Sequence, residues 1–484
     1  MIRTIKIFNF LSKKNILEKI SAKLSVKLRK IINPYYYFKF IYFKRRKSYY
    51  KKTEYKGYND VILLLNDVKD DANKNNSYIQ NQKLLQIAKY AFKHCSYYKH
   101  TFQQVGFDLN DLSKFNQLPL LDKTIIRNHY DELISDEIYL MDVYKMNTGG
   151  STGEPLEFLV SNLAGKVDAI HQEFVFKTTM GYQPGDVIVA FDGSTVPSCS
   201  VNNNIYWVDT GGKDIPYGRL SYSSLYLNNE TMPYYIEHII KTAPSILRGY
   251  PSFINDISEY ILAKNISIPF FVKGIQLTAE NVYDWQIENI QQAFNAKVFL
   301  QYGHSEVCVF GYTLNDTYEY ICSPYYGYTE VLDEDGQHVN IGDIGEIVVT
   351  GFYNYAMPFI RYKTGDLGLF NGNTNGIVRL GKIIGRAQDY VYTKDGLKIA
   401  LTALIFGQHY QAFKNIRKWQ LQQDIPGKLV IRIIRNEKFT LDDEMEIRRK
   451  FKDICDVDIK FEYVDFIPLT LRGKFRFLIQ NIQI

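Results

Sequence analysis

Cysteine is scarce in this sequence: five in 484 residues, at 95, 199, 308, 322 and 455, with no Cys-x-x-Cys pair. That excludes a disulfide framework and leads us to expect a reduced, cytoplasmic setting. His304, Cys308 and Cys322 lack a fourth ligand at a recognisable spacing, which speaks against a zinc site. No apolar run approaches the roughly 20 residues that a spanning helix needs. Residues 1 to 11 lack the continuous apolar core, followed by small residues, of a signal peptide, so the protein is expected to be neither secreted nor membrane-spanning. Acidic residues are nearly absent from the first 52 positions, where Glu18 stands alone against 16 Lys and Arg.

The rest of the chain holds 42 basic and 51 acidic residues, a net charge of −9, so the basicity belongs to an N-terminal arm and not to the body. This argues against nucleic acid as a partner. With 46% hydrophobic residues the chain can bury a large core, and its length predicts two or three domains. Within the arm, Ile16, Ile20, Leu24, Leu28 and Ile31 recur at helical spacing with Lys19, Lys23 and Lys30 beside them, and Pro34 ends the pattern. The aromatic and basic run YYYFKFIYFKRRKSYYKK follows. Two readings stand for residues 1–52: peripheral attachment to an anionic membrane surface, or an extra helical layer on the body with solvated charges. Residues 67–76, DVKDDANKNN, read as a linker. Beyond it Leu84, Ala88 and Phe92, with Ile87 and Ala91, mark a helix where the body begins. Strand-like runs such as 186–191 then alternate with helical patterns such as 280–294, which predicts layered α/β architecture.

Four segments carry candidate chemistry. NTGGSTGEP, Asn147 to Pro155, offers backbone amides through Gly149, Gly150 and Gly153 and hydroxyls through Thr148, Ser151 and Thr152, as a phosphate cradle requires; a plain turn has the same composition, and no Walker GK[ST] follows. FLQYGHSEV, Phe299 to Val307, delivers Tyr302, Gly303, Ser305 and Glu306 at the end of an apolar strand, suited to base stacking, a phosphate and Mg²⁺, or to an ordinary polar turn. GEIVVTGFYNYAMPFIRYKTGDLG, Gly345 to Gly368, leads to Arg361, Thr364 and Asp366, and a carboxylate just after a strand can accept both ribose hydroxyls or organise its own turn. KIIGRAQDYVYTKDGLKIA at 382–400 pairs with LTLRGKFRF at 469–477, where Lys474 taken alone reads as a surface charge.

In order and spacing these segments resemble the adenylate-forming superfamily of acyl-CoA synthetases, in the phenylacetate-CoA ligase branch with its relatives from capsular-polysaccharide clusters. The resemblance runs from Tyr78 to Ile484. It implies a large layered α/β adenylation domain over 77–385 and a small mobile α+β C-terminal lid domain over 386–484, behind an arm and linker at 1–76. It further implies that the 147–155 loop holds the ATP phosphates and that Tyr250, in LRGYPSFI, lies near the acyl pocket. Ala279 and Glu280, in LTAEN, lie beside the base; Tyr302 stacks on adenine; Ser305 reaches phosphate; Glu306 holds Mg²⁺; Asp366 binds the ribose. Arg386 matches the arginine that opens the lid, and Lys474 the mobile adenylation lysine.

The sequence also departs from that pattern: GGST replaces SGST, Leu156 stands where many members have lysine, and Gln388 replaces a charged hinge residue. The expected function is ATP-dependent adenylation of a carboxylic acid followed by transfer to a thiol, CoA being the family's usual acceptor. Transfer to a sugar or amine, and a catalytically silent membrane-associated partner in polymer assembly, are the alternatives.

Overall fold

The computed structural model describes residues 76–147, 156–209, 218, 220–314, 316–386, 390–401, 404, 410–470 and 473–482. The basic arm, most of the 67–76 segment, the loop residues Thr148, Gly149, Gly150, Ser151, Thr152 and Gly153, and Gln388 lie outside them. Helix α1 (Asn76–His94) buries Leu84, Ile87, Ala88 and Ala91, the stripe expected from the sequence. The expected linker does not extend to Asn76, which opens this helix, is buried and accepts a 2.5 Å hydrogen bond from the Tyr325 hydroxyl.

Strands β1 (Val143–Asn147) and β2 (Glu157–Ser161) pair antiparallel on either side of the 148–155 segment. Leu156, one of the departures, is 1% exposed, so an apolar residue there fills core. Helix α2 (Asn162–Met180) follows, capped at its start by Ser161 and ended by Gly181 at φ +62°. Its residues 165, 168, 172, 176 and 180 lie at helical spacing on one face.

Strands β3 (Ile188–Asp192), β4 (Trp207–Asp209), β5 (Leu220–Ser223), β6 (Ile246–Gly249), β7 (Gly274–Thr278) and β8 (Val298–Gly303) form one side of a twelve-stranded sheet. Its other half comprises β9 (Phe310–Tyr312), β10 (Tyr320–Cys322), β11 (Gly327–Leu332), β12 (Ile344–Gly351), β13 (Tyr362–Thr374) and β14 (Ile377–Arg386). The run β5-β3-β6-β7-β8 is parallel throughout. Such strands are covered on both faces, which is why Ile188 to Phe191 are all buried. The crossovers are helical, among them α3 (Met232–Thr242), α4 (Pro251–Ala263) and α5 (Asp284–Phe294). The remaining pairings are antiparallel, and β13 and β14 bring Asp366 opposite Arg386.

A second hydrophobic core lies in the C-terminal segment. Strands β15 (Tyr390–Tyr392) and β16 (Lys398–Ala400) form a two-stranded pair. Strands β17 (Ile416–Ile425), β18 (Lys428–Arg435), β19 (Asp458–Tyr463) and β20 (Leu478–Gln480) make a sheet of order β19-β18-β17-β20. Helix α6 (Leu441–Lys452) sends Ile447 and Phe451 into the same core as Leu421 and Ile431. A Thr440–Asp443 capping box starts it, and acidic first-turn and basic last-turn residues complement its dipole. Among the described residues no helix is long and apolar enough to cross a membrane.

Candidate active site

Where parallel strands end, their last backbone groups and side chains face a common crevice, the usual ligand position in open α/β sheets. Here that rim opens on a cavity of about 490 Å³. Of the residues singled out from the sequence, Tyr250, Ala279, Glu280, Tyr302, Gly303, Ser305, Glu306, Asp366 and Lys474 all line it. They come from five separate stretches of chain. Arg386 ends β14 opposite Asp366, so its backbone adjoins the site.

The Tyr302 hydroxyl donates to Asp366 Oδ2 at 2.9 Å. Burial first, and then the Asp366 charge, push that phenol well above its ordinary value, so it is a fixed donor. Asp366 itself is held by its backbone N–H, which donates to Thr364 Oγ1 at 3.0 Å; Thr364 in turn donates to Ile347 O at 2.7 Å. The phenol thus anchors an aromatic face beside the carboxylate.

Glu306 is 5% exposed. It accepts from the Tyr362 hydroxyl at 2.8 Å, and His304 Nδ1 lies 3.2 Å from its other oxygen. Burial pushes its carboxyl up, but His304 and the Tyr362 hydroxyl outweigh this and hold it at about 2. It is therefore ionised at neutral pH. No group of three His, Cys, Asp or Glu side chains converges as a metal cage among the described residues. One ionised carboxylate at a cavity would fit a Mg²⁺ ion that arrives on phosphates, which keeps most of its ligands as water and phosphate oxygen. Val307, next in sequence, holds φ +58°, a costly conformation for a β-branched residue and one that clusters at functional sites.

Lys474 reaches the cavity from the C-terminal core. Its Nζ lies 5.6 Å from the centroid of the Tyr250 ring. The loop that presents it is tied down on both sides: Gly473 O accepts from Ser224 Oγ at 2.7 Å, and the Phe475 N–H donates to Glu280 Oε1 at 2.7 Å. Gly473 has φ +69°, and a Cβ there would overlap Ser224 Oγ and sit 2.7 Å from Gly193 Cα. Glycine before the lysine is thus required twice, by backbone and by space. The other oxygen of Glu280 accepts from the Ser252 N–H at 3.1 Å. Glu280, expected beside the base, lines the cavity, and its carboxylate bridges the start of α4 and the lysine loop. Two ion pairs extend the contact, Arg417 with Glu259 at 3.1 Å and Lys418 with Asp256.

Arg361 lies outside the cavity. It is 2% exposed, forms a two-pronged pair with Glu330 at 3.1 Å, and donates to Asn116 O and Leu118 O. That is a structural clamp. Sequence reasoning missed Lys123, Gln172, Asp192 and Arg248, all of which line the cavity. Only Lys123, just after the N-cap Asp122 whose carboxylate accepts from Ile125 N at 2.7 Å, had a local signal.

This fold is that of the adenylate-forming CoA ligases, with a C-terminal domain. It matches 2-hydroxyisobutyryl-CoA ligase in the postadenylation state in complex with R3-HIB-AMP at a TM-score of 0.64 and 18% identity, over 83% of this chain and 88% of that one. The same ligase with 2-HIB-AMP and CoA in the thioesterification state gives 0.55 and 19%, over 85% and 91%. The CapK C-terminal domain family matches residues 391–481. Among homologues, the chain is 28% identical over 414 residues to protein CapK of Staphylococcus aureus, covering 84% of this chain and 89% of that protein. It is 24% identical over 338 residues to phenylacetate-coenzyme A ligase of Pseudomonas putida, covering 64% of this chain and 70% of that enzyme.

Proposed function

We propose that this protein activates a carboxylic acid with Mg²⁺·ATP and passes the acyl group to a thiol, with CoA as acceptor. The observation that carries the reading is Lys474, delivered from a separate core into the cavity that also holds Tyr302, Glu306 and Asp366. Adenosine stacks on Tyr302 with its ribose on Asp366, Glu306 would hold the Mg²⁺ that offsets phosphate charge, and Ala279 borders the base. The 148–153 residues complete the phosphate cradle. In the first step a carboxylate oxygen attacks the α-phosphorus, the bond to the bridging oxygen breaks, and pyrophosphate leaves with the electron pair. The protein's part is to align the two anions and offset their charge, the work assigned to Lys474 and Ser305. In the second step the thiol sulfur attacks the acyl carbon, AMP leaves, and the thiol proton passes to solvent.

Residues 77–385 act as the adenylation domain and 386–484 as a lid that turns about the Arg386 region between the steps. The test is ATP–pyrophosphate exchange over a panel of carboxylic acids, then thioester formation with CoA; no exchange with any acid overturns the reading. Arm residues 1–52 attach the protein to anionic lipid at the cytoplasmic membrane face. Vesicle sedimentation undiminished by removal of residues 1–60 overturns that part.

A further inference from the structure

The cavity extends below the strand rim, between α2 and the sheet. At the lower end of α2, Phe176 and Met180 pack on Ile188, Ile246 and Phe299 in a closed apolar cluster. Four residues back along the helix is about 6 Å, and two residues up a strand is about 6.6 Å. Gln172 therefore stands level with Ala190 and Arg248, which are register partners on β3 and β6 and share the face that carries Ile188 and Ile246. Gln172, Ala190 and Arg248 all line the cavity. They form its floor, with the apolar cluster beneath as a plug. Adenosine is assigned to the rim, at Tyr302 and Asp366, so the floor is the far end of the space left for the acyl group.

That floor is polar. Gln172 is 2% exposed and its Nε2 has no hydrogen-bond partner. Arg248 Nε donates to Gln276 Oε1 at 3.3 Å, which holds the guanidinium at the floor from Gln276 on the neighbouring strand, outside the cavity lining. Leaving a buried amide unpaired is costly, so a site retains one where a ligand completes it. An apolar acyl chain cannot do that, whereas an oxygen acceptor facing the Gln172 carboxamide and the Arg248 guanidinium can.

Resting on the adenylation reading, we infer that the acid substrate carries a second oxygen function at its distal end, held by Gln172 and Arg248. The shared chemistry is an oxygen acceptor, supplied by a second carboxylate or by a keto or hydroxyl oxygen. Gln172 is a specificity-determining residue for it.

The experiment is pyrophosphate exchange by the full chain with size-matched sets: dicarboxylic, keto, hydroxy and plain alkanoic or arylacetic acids. Oxygen-bearing acids are expected to exceed their apolar counterparts in kcat/KM by about 10- to 100-fold. Gln172→Met, which keeps the volume, should erase most of that ratio by lowering the oxygen-bearing acids and raising the apolar ones. Gln172→Glu should penalise dicarboxylates more than keto or hydroxy acids, which separates the two sources of the acceptor. Thermal melts establish that both variants fold, and ATP KM should stay unchanged in each. Wild-type exchange restricted to apolar acids, or a preference that Gln172→Met leaves intact, overturns this inference while adenylation stands. Absence of exchange with every acid overturns both.

Discussion

Glu280 and Phe475, 195 positions apart, are joined by a 2.7 Å hydrogen bond from the Phe475 N–H to Glu280 Oε1, one residue beyond Lys474. The carboxylate is buried, which raises its pKa, and the Phe475 and Ser252 N–H groups pull the other way. Two backbone donors therefore depend on one side chain, and the lysine loop keeps its place through it.

Glu280→Ala leaves both donors without that partner and should lower pyrophosphate exchange by about 10- to 100-fold. Glu280→Gln keeps one acceptor oxygen and should fall between wild type and Ala. Equal exchange rates in all three would show that this bridge does not position Lys474.

Lys474→Ala should reduce exchange by about 100-fold or more while the melting temperature stays within a few degrees, since the loop is held through backbone groups at Gly473 and Phe475. Thioester formation from supplied acyl-AMP should be affected far less. A parallel loss of both half-reactions would contradict the assignment of this lysine to the first.

Glu306 predicts a pH effect. Its folded value, about 2, lies below the ordinary 4.5, so its contribution to stability is complete above about 4.5 and is lost as pH falls toward 2. The full difference is on the order of 3 kcal/mol. Glu306→Gln should flatten the slope of unfolding free energy against pH in that window, read from denaturant melts. An unchanged slope would place the acid sensitivity elsewhere.

The ion pairs Arg417–Glu259 and Lys418–Asp256 join the C-terminal core to α4. Partly exposed pairs of this kind contribute about 1 kcal/mol or less each. The double variant Asp256→Asn, Glu259→Gln should slow exchange about 2- to 5-fold at low salt. Wild type should lose rate as salt rises and the variant should not.

Gly249 has φ +154° and a Cβ there would overlap Phe191 O on the neighbouring parallel strand. Gly249→Ala should destabilise the fold by about 3 kcal/mol or more, or prevent soluble expression. A melt within 1 kcal/mol of wild type would mean that β3 and β6 can separate at little cost.

Much of the site was legible in the sequence because each candidate group travels with its own local signal. Tyr302, Ser305 and Glu306 follow an apolar strand, Asp366 sits among Thr and Gly after a Val-rich strand, and Lys474 follows a glycine that its loop requires. Strand and helix periods in the sequence likewise mark β3, α1 and α5. Tertiary structure decided the rest. Gln172 sits in the middle of a helix and Arg248 within a strand, with no turn, glycine or repeat to mark them; they line one cavity because α2 packs over the sheet and strand register aligns Arg248 with Ala190 and Gln276. Arg361 shows the opposite case, conspicuous in its motif yet buried against Glu330 as a clamp. The motif brought out Glu280, but only the fold shows that both of its oxygens accept from backbone N–H groups of Ser252 and Phe475. Local sequence determined which groups are present and on which elements; the packing of elements far apart in the chain determined which of them meet, because contact between such residues depends on register and docking that no short stretch encodes.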